Sequence, residues 1–264
     1  MTEKSPPAET KNDENQARQI ETTATRLVKY CLTIPEQLMR ASYLSEKLVE
    51  MPDDQLLEVL RFITKKAIKR VPPFMELMRE ASKFNKIHEM LGPYRISRIY
   101  HAAVRKKYST VMDFFSSSKP RLSDEGDTQA FELYGYPDKT IGERRQMARN
   151  HNPLVLDKLG YDPDPEVIRR ILFNPRTTEQ DVIKITSRRP NKPELLDVIY
   201  NNAKWIGRYQ VRIALARNPY AYPRTALAIL TTLMIQDIRD IANDPNLHPE
   251  VLSRAKEILF EKQK

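Results

Sequence analysis

The sequence has little cysteine, little glycine and no long apolar run. Its single cysteine, Cys31, excludes an internal disulfide and a metal site made of this chain's thiolates, so we expect a small buried apolar residue there. The longest uncharged run, residues 225–236, spans 12 residues, whereas a bilayer-crossing helix needs about 20. We therefore predict no transmembrane segment.

The N-terminus lacks the apolar core of a secretory signal. The stretch MTEKSPPAETKNDENQ is polar throughout, so we predict a disordered tail over residues 1–16. With no signal and no membrane span, a cytoplasmic location is the default expectation.

Sequence motifs of catalysis and cofactor binding are also missing. The chain has no GxGxxG, GxxxxGK[ST], GxSxG or HExxH motif, and its glycines do not cluster as a phosphate-binding loop requires. The four histidines are isolated from one another in sequence: His88, His101, His151 and His248. We therefore expect no cofactor, no metal and no enzymatic activity.

Proline is abundant, with 19 residues against six glycines, and its placement indicates helices. Proline suits the first helical turn, and a following glutamate is favoured by the helix dipole. Pro-Glu pairs begin at residues 35, 165, 193 and 249, and each precedes apolar residues. Period-two alternation is absent, so the sequence predicts an all-α fold. In the N-terminal half we place helices near 17–31, 35–50, 52–70, 72–90 and 94–115.

The predicted organisation has two helical regions. Residues 17–115 form an N-terminal helical bundle or array, and residues 141–264 form a repeat domain. Between them, residues 116–140 are polar, net acidic and hold two glycines, which is typical of a linker or long loop.

Beyond Gly142 a helix-breaking corner recurs. Each corner joins an apolar helix end to Asn or Asp, usually followed by Pro, and a new helix starts a few residues later. Proline disfavours helical geometry in the preceding residue, so the chain turns there. The corners are anchored at Asn150, Asn174, Asn218 and Asp244, with one degenerate break at Arg189-Pro190. Short helices of this kind need neighbours to cover their apolar faces, which a stack provides.

Three features of this region resemble leucine-rich repeat variant proteins. They are the corner pattern A-R-N-P-x-x-x-P-x-x-x-L, the stretch DPDPEVIRR, and an arginine that recurs five or six residues before the Asn or Asp. These proteins form a HEAT-like α-solenoid group found mainly in bacteria. The resemblance covers about residues 142–262 and implies a right-handed solenoid of helix pairs. Some members carry an N-terminal iron–sulfur module, for which one cysteine is insufficient.

Two kinds of charged residue in this region have competing interpretations. The first kind is a group of acids, Asp162, Asp164 and Glu166. They could act as a paired-carboxylate acid and base, but we favour their interpretation as caps for the following helix. The recurring arginines are expected to tie neighbouring units together more than to bind ligands. They are Arg144, Arg145, Arg169, Arg212 and Arg239.

Two constellations are candidate binding sites. The first combines cations with the lone tryptophan, and no acid occurs between residues 198 and 236. Tryptophan, tyrosine and arginine dominate protein interfaces, although a lone tryptophan is more often a core residue. The predicted partner-binding residues are Lys204, Trp205, Arg208, Tyr209, Arg212 and Arg169.

The second constellation lies in a basic region, where residues 61–107 hold 13 Lys or Arg against three acids, in a chain of net charge +9. Cations neutralise phosphates and aromatic rings stack on bases, so one helical face in this region suits nucleic-acid binding. The alternative interpretation is an ordinary charged face exposed to solvent. The residues of this face are Tyr94, Arg98, His101, Arg105 and Tyr108.

The leading hypothesis is a non-enzymatic scaffold or adaptor whose helical-repeat surface binds a protein partner with an acidic or extended segment. The alternative is a sequence-tolerant nucleic-acid-binding protein that uses the 61–107 region. A third hypothesis, an enzyme resembling the HEAT-like DNA glycosylases, requires an aromatic pocket with a carboxylate. Trp205 has no acid nearer in sequence than Asp197. The oligomeric state stays open.

Overall fold

In a computed structural model, the described residues 8–81, 85–115, 118–123 and 129–261 form helices joined by turns. These residues contain no strand, so the predicted all-α class is confirmed. The chain divides into two compact units, Met1–Ser116 and Ser117–Lys264, which we call the N-terminal and C-terminal units.

The N-terminal unit packs its helices around one apolar core. α3 contacts α1, α4 and α6, and α2 contacts α5. Apolar side chains of α3, including Leu56 and Ala67, are buried, and Cys31 lies in the same core, as predicted. The helices are α1 Ala8–Thr33, α2 Gln37–Glu50, α3 Asp53–Ile68, α4 Pro72–Ala81, α5 Asn85–Arg105 and α6 Ser109–Phe115.

Several helix bounds differ from those predicted. α1 begins at Ala8, so residues 8–16 of the predicted tail belong to this helix, and residues 1–7 lie outside the described residues. The helix predicted over 72–90 is divided, because α4 ends at Ala81 and α5 begins at Asn85, with 82–84 outside the described residues.

The helix predicted over 94–115 is also divided, into the C-terminal part of α5 and the short helix α6. Residue 94, its predicted start, lies inside α5. α5 runs through Gly92-Pro93 with a kink, and Gly92 has φ 71°, a left-handed conformation that glycine adopts without steric cost. After Arg105 the chain turns at Lys107, whose φ is 54°, while the Tyr108 N–H donates to the Ala103 carbonyl at 2.9 Å. A left-handed residue of this kind ends a helix.

The C-terminal unit consists of short helices. α10, α12 and α17 begin at the proline of a Pro-Glu pair, as predicted, and α2 in the other unit begins directly after one. The helices are α7 Gln129–Tyr134, α8 Ile141–Met147, α9 Pro153–Leu159, α10 Pro165–Phe173, α11 Glu179–Ser187, α12 Pro193–Tyr200, α13 Ala203–Ile206, α14 Tyr209–Ala216, α15 Pro223–Leu230, α16 Ile235–Ala242 and α17 Pro249–Glu261.

Contacts within the C-terminal unit arrange these helices in two series. In the first series α8 contacts α10, α10 contacts α12, and α15 contacts α17, while Arg224 on α15 binds Asp197 on α12 at 2.9 Å. In the second series α11 contacts α14, Lys184 on α11 binds Asp157 on α9, and Arg217, the residue that ends α14, binds Asp240 on α16. The helices α10, α11, α12, α14 and α15 bury apolar side chains, and each contacts a neighbour in its own series and one in the other series.

Part of the predicted linker packs on the C-terminal unit. The Leu122 N–H donates to the Pro219 carbonyl at 3.2 Å, and the Ser118 hydroxyl donates to Glu250. α7 brings Phe131 under the Arg144 guanidinium, 4.9 Å from the ring centroid. Residues 116–117 and 124–128 lie outside the described residues.

The anchor asparagines bind successive turns together. The Asn174 side chain donates to the carbonyls of Ala148 and Asn150, at 2.8 Å each. The Asn218 side chain donates in the same way to the carbonyls of Thr186 and Arg188. Sequence reasoning located these corners but did not foresee that each asparagine caps a turn 24 or more residues earlier.

Between Asn174 and Asn218 the chain turns twice, at residues 188–192 and 201–208, where the sequence indicated one degenerate break. The missed turn contains Asn202, whose side chain accepts from the Lys204 N–H at 3.1 Å. No proline follows Asn202, which explains why the pattern did not reveal it.

Asp164 caps α10, as the favoured interpretation predicts, whereas Glu166 lies within this helix and binds Arg169 and Arg170. Asp164 accepts from the Val167 N–H at 2.9 Å and Asp162 accepts from the Asp164 N–H. Asp162 is fully buried and also accepts from Arg144 at 2.6 Å. Burial raises the pKa of Asp162, although the Asp164 N–H and Arg144 oppose this. Removing one partner of such a buried ion pair leaves an unpaired buried charge, which strongly destabilises the folded protein.

Candidate partner-binding surface

Trp205 lies in the interior of the C-terminal unit. Its side chain is 2% exposed, and its indole N–H donates to the Leu172 carbonyl at 2.8 Å. A contact residue must be reachable, so we withdraw Trp205 from the predicted partner-binding set. Its role is to hold α13 against the end of α10.

Arg212 is also buried. Its guanidinium donates to the carbonyls of Ile206 and Gly207, at 3.0 Å each, and stacks over the Tyr209 ring. These contacts hold α14 against the turn before it. We therefore no longer expect Arg212 to contact a partner. Both carbonyls lie five or six residues before Arg212, so the role of tying neighbouring units stays a prediction for this residue.

Tyr209 and Arg169 are reachable but already engaged. The Tyr209 hydroxyl donates to Asp237 and accepts from the Met234 N–H, and burial and Asp237 raise its pKa. Arg169 is half exposed and bonds to Glu166 on its own helix. Both are therefore weaker candidates for a partner contact.

Lys204 and Arg208 keep their cationic groups at the surface. The Lys204 ammonium lies 4.1 Å from the Trp205 ring centroid, so the buried indole holds an exposed cation above it. The Arg208 side chain is 57% exposed and reaches only a loose contact with Glu179, at 3.9 Å. An exposed pair at this distance contributes little stability, which leaves Arg208 available to a partner.

The turns that buried hydrogen bonds connect to this region carry further exposed side chains. Asn174 joins the turn that carries Arg149 to the turn that carries Arg176, and the bond from Trp205 to Leu172 places α13 beside Phe173. Phe173 is 75% exposed. We call this set the corner patch, and it consists of Arg149, Leu154, Phe173, Arg176, Lys204 and Arg208.

Sequence reasoning missed Arg149, Leu154, Phe173 and Arg176. The usable signal was their position one to four residues from the anchors Asn150 and Asn174. At Asn174 the anchor side chain is buried, whereas the nearby Phe173 and Arg176 are exposed. That geometry requires the tertiary bonds of the asparagines, which the sequence does not reveal.

Ion pairing differs among the cations of the C-terminal unit. Several bind a carboxylate, as in the pairs Arg144–Asp162, Arg145–Asp164, Arg170–Glu166, Lys184–Asp157, Arg217–Asp240 and Arg224–Asp197. Among the described residues, Arg149, Arg176 and Lys204 have no ion-pair partner. The patch therefore combines uncompensated positive charge with an exposed aromatic ring and Leu154.

In the N-terminal unit, four of the five predicted nucleic-acid contacts share an exposed face of α5. Tyr94 is 78% exposed, and His101 and Arg105 are exposed one and two turns beyond Arg98. Arg98 stacks near the Tyr94 ring, at 5.9 Å, but it also pairs with Asp53. We call Tyr94, Arg98, His101 and Arg105 the α5 stripe.

Tyr108 does not belong to this stripe, because it follows the end of α5. Its hydroxyl donates to Glu58 at 2.8 Å and accepts from Arg61 at 3.0 Å, and Lys106 also binds Glu58. Burial by itself raises the pKa of Glu58, but hydrogen bonds from Lys106, Tyr108 and Arg61 outweigh it and leave this pKa below its usual value. Glu58, Arg61 and Lys106 line part of a cavity of about 660 Å³ beside α1 and α3.

The described residues form no cluster of three or more His, Cys, Asp or Glu placed to hold a metal ion. His88 has a side chain outside the described set, and His101 and His151 are exposed in different units. Within the same described ranges, no helix combines the length and apolar character needed to cross a membrane.

Comparison with family models, with curated proteins and with solved structures found no match for this chain. The all-helical structure is compatible with a helical repeat. The resemblance to leucine-rich repeat variant proteins stays a prediction.

Proposed function

We propose that this protein is a non-enzymatic scaffold or adaptor, and that its C-terminal unit is a short solenoid binding an acidic, extended segment of a protein partner. The corner patch is the binding surface. The observation that carries the proposal is a set of exposed cations, three of them without an ion-pair partner among the described residues, on turns that buried bonds connect to the turn of the exposed Phe173. Arginine and aromatic side chains supply most of the binding energy of protein interfaces.

The rigidity of the patch supports the same function. Its residues lie on short helices and turns, and buried asparagine and indole hydrogen bonds connect several of these turns, so binding does not have to order the backbone there. Uncompensated positive charge attracts an acidic segment and raises the association rate. Phe173 and Leu154 offer apolar contacts that a segment with interspersed apolar residues satisfies.

Fluorescence anisotropy with the full-length protein tests this proposal. The probe is a labelled peptide of roughly ten residues, which extends over about 30 Å, with Asp and Glu alternating with Leu and Phe. We expect Arg176→Glu/Arg208→Glu to weaken binding by about tenfold or more, because it replaces attraction with repulsion. Phe173→Ala should weaken binding with little change in its salt dependence.

The matched control is Arg239→Glu/Lys256→Glu, which changes the net charge equally at exposed positions on α16 and α17. This control should bind the peptide within about threefold of the wild type, since the effect of net charge alone is screened at physiological salt. Equal losses in both double variants would show that binding follows net charge and would refute the corner patch.

A second candidate function, sequence-tolerant nucleic-acid binding, is favoured by the α5 stripe. Tyr94 offers an exposed ring for base stacking, while His101 and Arg105 follow on the same face. The test is a salt titration with single-stranded DNA or RNA. Each neutralised phosphate contributes close to one unit of slope in log K against log salt.

We expect Tyr94→Ala and Arg105→Glu to reduce this affinity, and the corner-patch double variant to leave it nearly unchanged. Absence of any complex at low salt would remove the second function without affecting the first.

A further inference from the structure

A small cavity between α9 and α11 is lined by a guanidinium, that of Arg188, to which no carboxylate among the described residues binds. The cavity measures about 330 Å³, near the lower end of the range for ligand pockets. Its apolar part is formed by Leu156 and Ile185, together with the Gly160 backbone. Tyr161 and Arg188 line it as well, and Lys184 binds Asp157 beside it at 3.0 Å.

Arg188 is held in a fixed position at this cavity. Its Nη1 donates to the Gly160 carbonyl at 2.6 Å, and its guanidinium lies 5.3 Å from the Tyr161 ring centroid. Within the part of the chain that the structure describes, this carbonyl is the one acceptor of the guanidinium. A guanidinium has five N–H donors, so several remain for a ligand.

The carboxylates that line the cavity, and the buried Asp162, bind other groups. Asp157 binds Lys184, Asp181 accepts from the Thr178 hydroxyl and N–H, and Asp162 binds Arg144. Burial lowers the pKa of Arg188, with opposing effects from Tyr161 and Asp162. Its charge is thus partly desolvated without an ion-pair partner, an arrangement that an anionic ligand relieves.

Gly160 determines the shape of the cavity. A Cβ at this residue would lie 3.0 Å from the Asp157 carbonyl and 3.3 Å from the Ile185 side chain. The missing Cβ therefore lets α9 and α11 approach closely and keeps the Gly160 carbonyl within reach of Arg188. The result is an apolar recess with one oriented cation at its edge.

We infer that this cavity binds a monoanionic carboxylate carried on a small apolar group. The carboxylate accepts from Arg188 in the planar, two-point geometry that guanidinium and carboxylate share, and the apolar group packs on Leu156 and Ile185. Asp157 and Asp181 at the cavity disfavour the higher charge of a phosphate. This inference does not depend on the corner patch, which lies at other turns.

An NMR titration of the full-length protein with benzoate tests the inference. Benzoate should shift the amide resonances of residues 156–161 and 184–188 with millimolar affinity, as expected for a fragment-sized ligand. Benzamide has the same shape without the charge and should bind at least about tenfold more weakly. Equal binding of the two, or no shifts with either, would overturn the inference.

Arg188→Gln removes the charge and should reduce benzoate affinity at least about tenfold. The matched control is Arg189→Gln, the adjacent arginine, whose guanidinium bonds to the Arg217 carbonyl instead. It should bind benzoate like the wild type, and equal losses in both variants would contradict the assigned role of Arg188. Leu156→Ala keeps Arg188 but removes apolar contact. It should weaken benzoate while leaving the preference over benzamide, so a lost preference would also count against the inference.

The carboxylate has two possible sources, a free small acid or the C-terminus of a peptide that ends in an apolar residue. A short peptide ending in leucine, with a free or an amidated C-terminus, distinguishes them. If the free peptide binds better than its amide and better than benzoate, the ligand is a peptide terminus. If only benzoate binds, the ligand is a free acid. Both results support the inference that the cavity beside Arg188, which we call the carboxylate pocket, binds a carboxylate.

Discussion

At the scale of single residues, the anchor asparagines determine how the C-terminal unit holds its turns. Asn174 satisfies two carbonyls of a turn distant in sequence, and its own Oδ1 accepts from the Arg176 N–H at 2.9 Å. One side chain therefore links two turns and also places the neighbouring arginine at the surface. The corner patch depends on this residue, although Asn174 itself is buried.

Asn174→Ala should destabilise the C-terminal unit by about 2–3 kcal/mol, because it leaves two carbonyls without their donor. Urea unfolding followed by circular dichroism measures the loss. The matched control is Asn150→Ala, an exposed asparagine whose side chain accepts one N–H, from Asn152. It should cost less than about 1 kcal/mol. Equal costs would contradict the linking role of Asn174.

At the scale of the helix, caps at the turns explain why such short segments form. α8 and α11 each begin with a capping box, made by Thr140 with Glu143 and by Thr178 with Asp181. α10 begins with Asp164 as its cap and Pro165 at its first position. Helices of seven to nine residues are unstable alone, so these caps act together with packing against neighbours.

Asp164 provides a test with a defined pH dependence. Burial acts to raise its pKa, but hydrogen bonds from Arg145 and from the Val167 N–H prevail and hold it below the usual 3.8. Since the folded-state pKa is the lower one, the charge of Asp164 stabilises the fold above about pH 3.8. This contribution is lost as the pH falls through the folded value.

Asp164→Ala should therefore cost about 1–2 kcal/mol at pH 7, and the difference from the wild type should shrink below about pH 3.8. Asp164→Asn keeps an acceptor for the cap but loses the charge, so its cost at pH 7 should be smaller. Thermal unfolding at several pH values measures both. A difference that stays constant from pH 7 to pH 3 would contradict the assigned role of the carboxylate.

At the scale of the whole molecule, the chain forms two compact units, each with its own buried residues. Core residues of the N-terminal unit include Leu44, Leu56 and Ile99, and those of the C-terminal unit include Ile168, Leu195 and Leu215. A unit with its own apolar core is expected to fold independently.

We therefore predict that residues 1–116 and 117–264, produced separately, each unfold in a cooperative thermal transition. Circular dichroism of the two fragments checks this. The carboxylate pocket and the corner patch should be retained in the second fragment, and the α5 stripe in the first. A fragment without a cooperative transition would show that its core needs the other unit.

What the sequence by itself determined about this protein is local. Proline placement and apolar spacing predicted the all-α class, the starts of α10, α12 and α17, and most of the corners, since these follow from backbone restrictions within a few residues. It also favoured the capping role of Asp164. Where no proline marked a turn, as at Asn202, local signals were insufficient.

Only the tertiary structure decided which side chains are reachable. Trp205 and Arg212 have the composition of an interface but are buried, whereas Arg149, Phe173 and Arg176 carry no distinctive motif and are exposed. Burial depends on which helices pack together, and those contacts join residues more than 20 positions apart, as the bonds from Asn174 and Trp205 do. Spacing along the chain does not encode such partners, so the surface residues became visible only once the helices were packed.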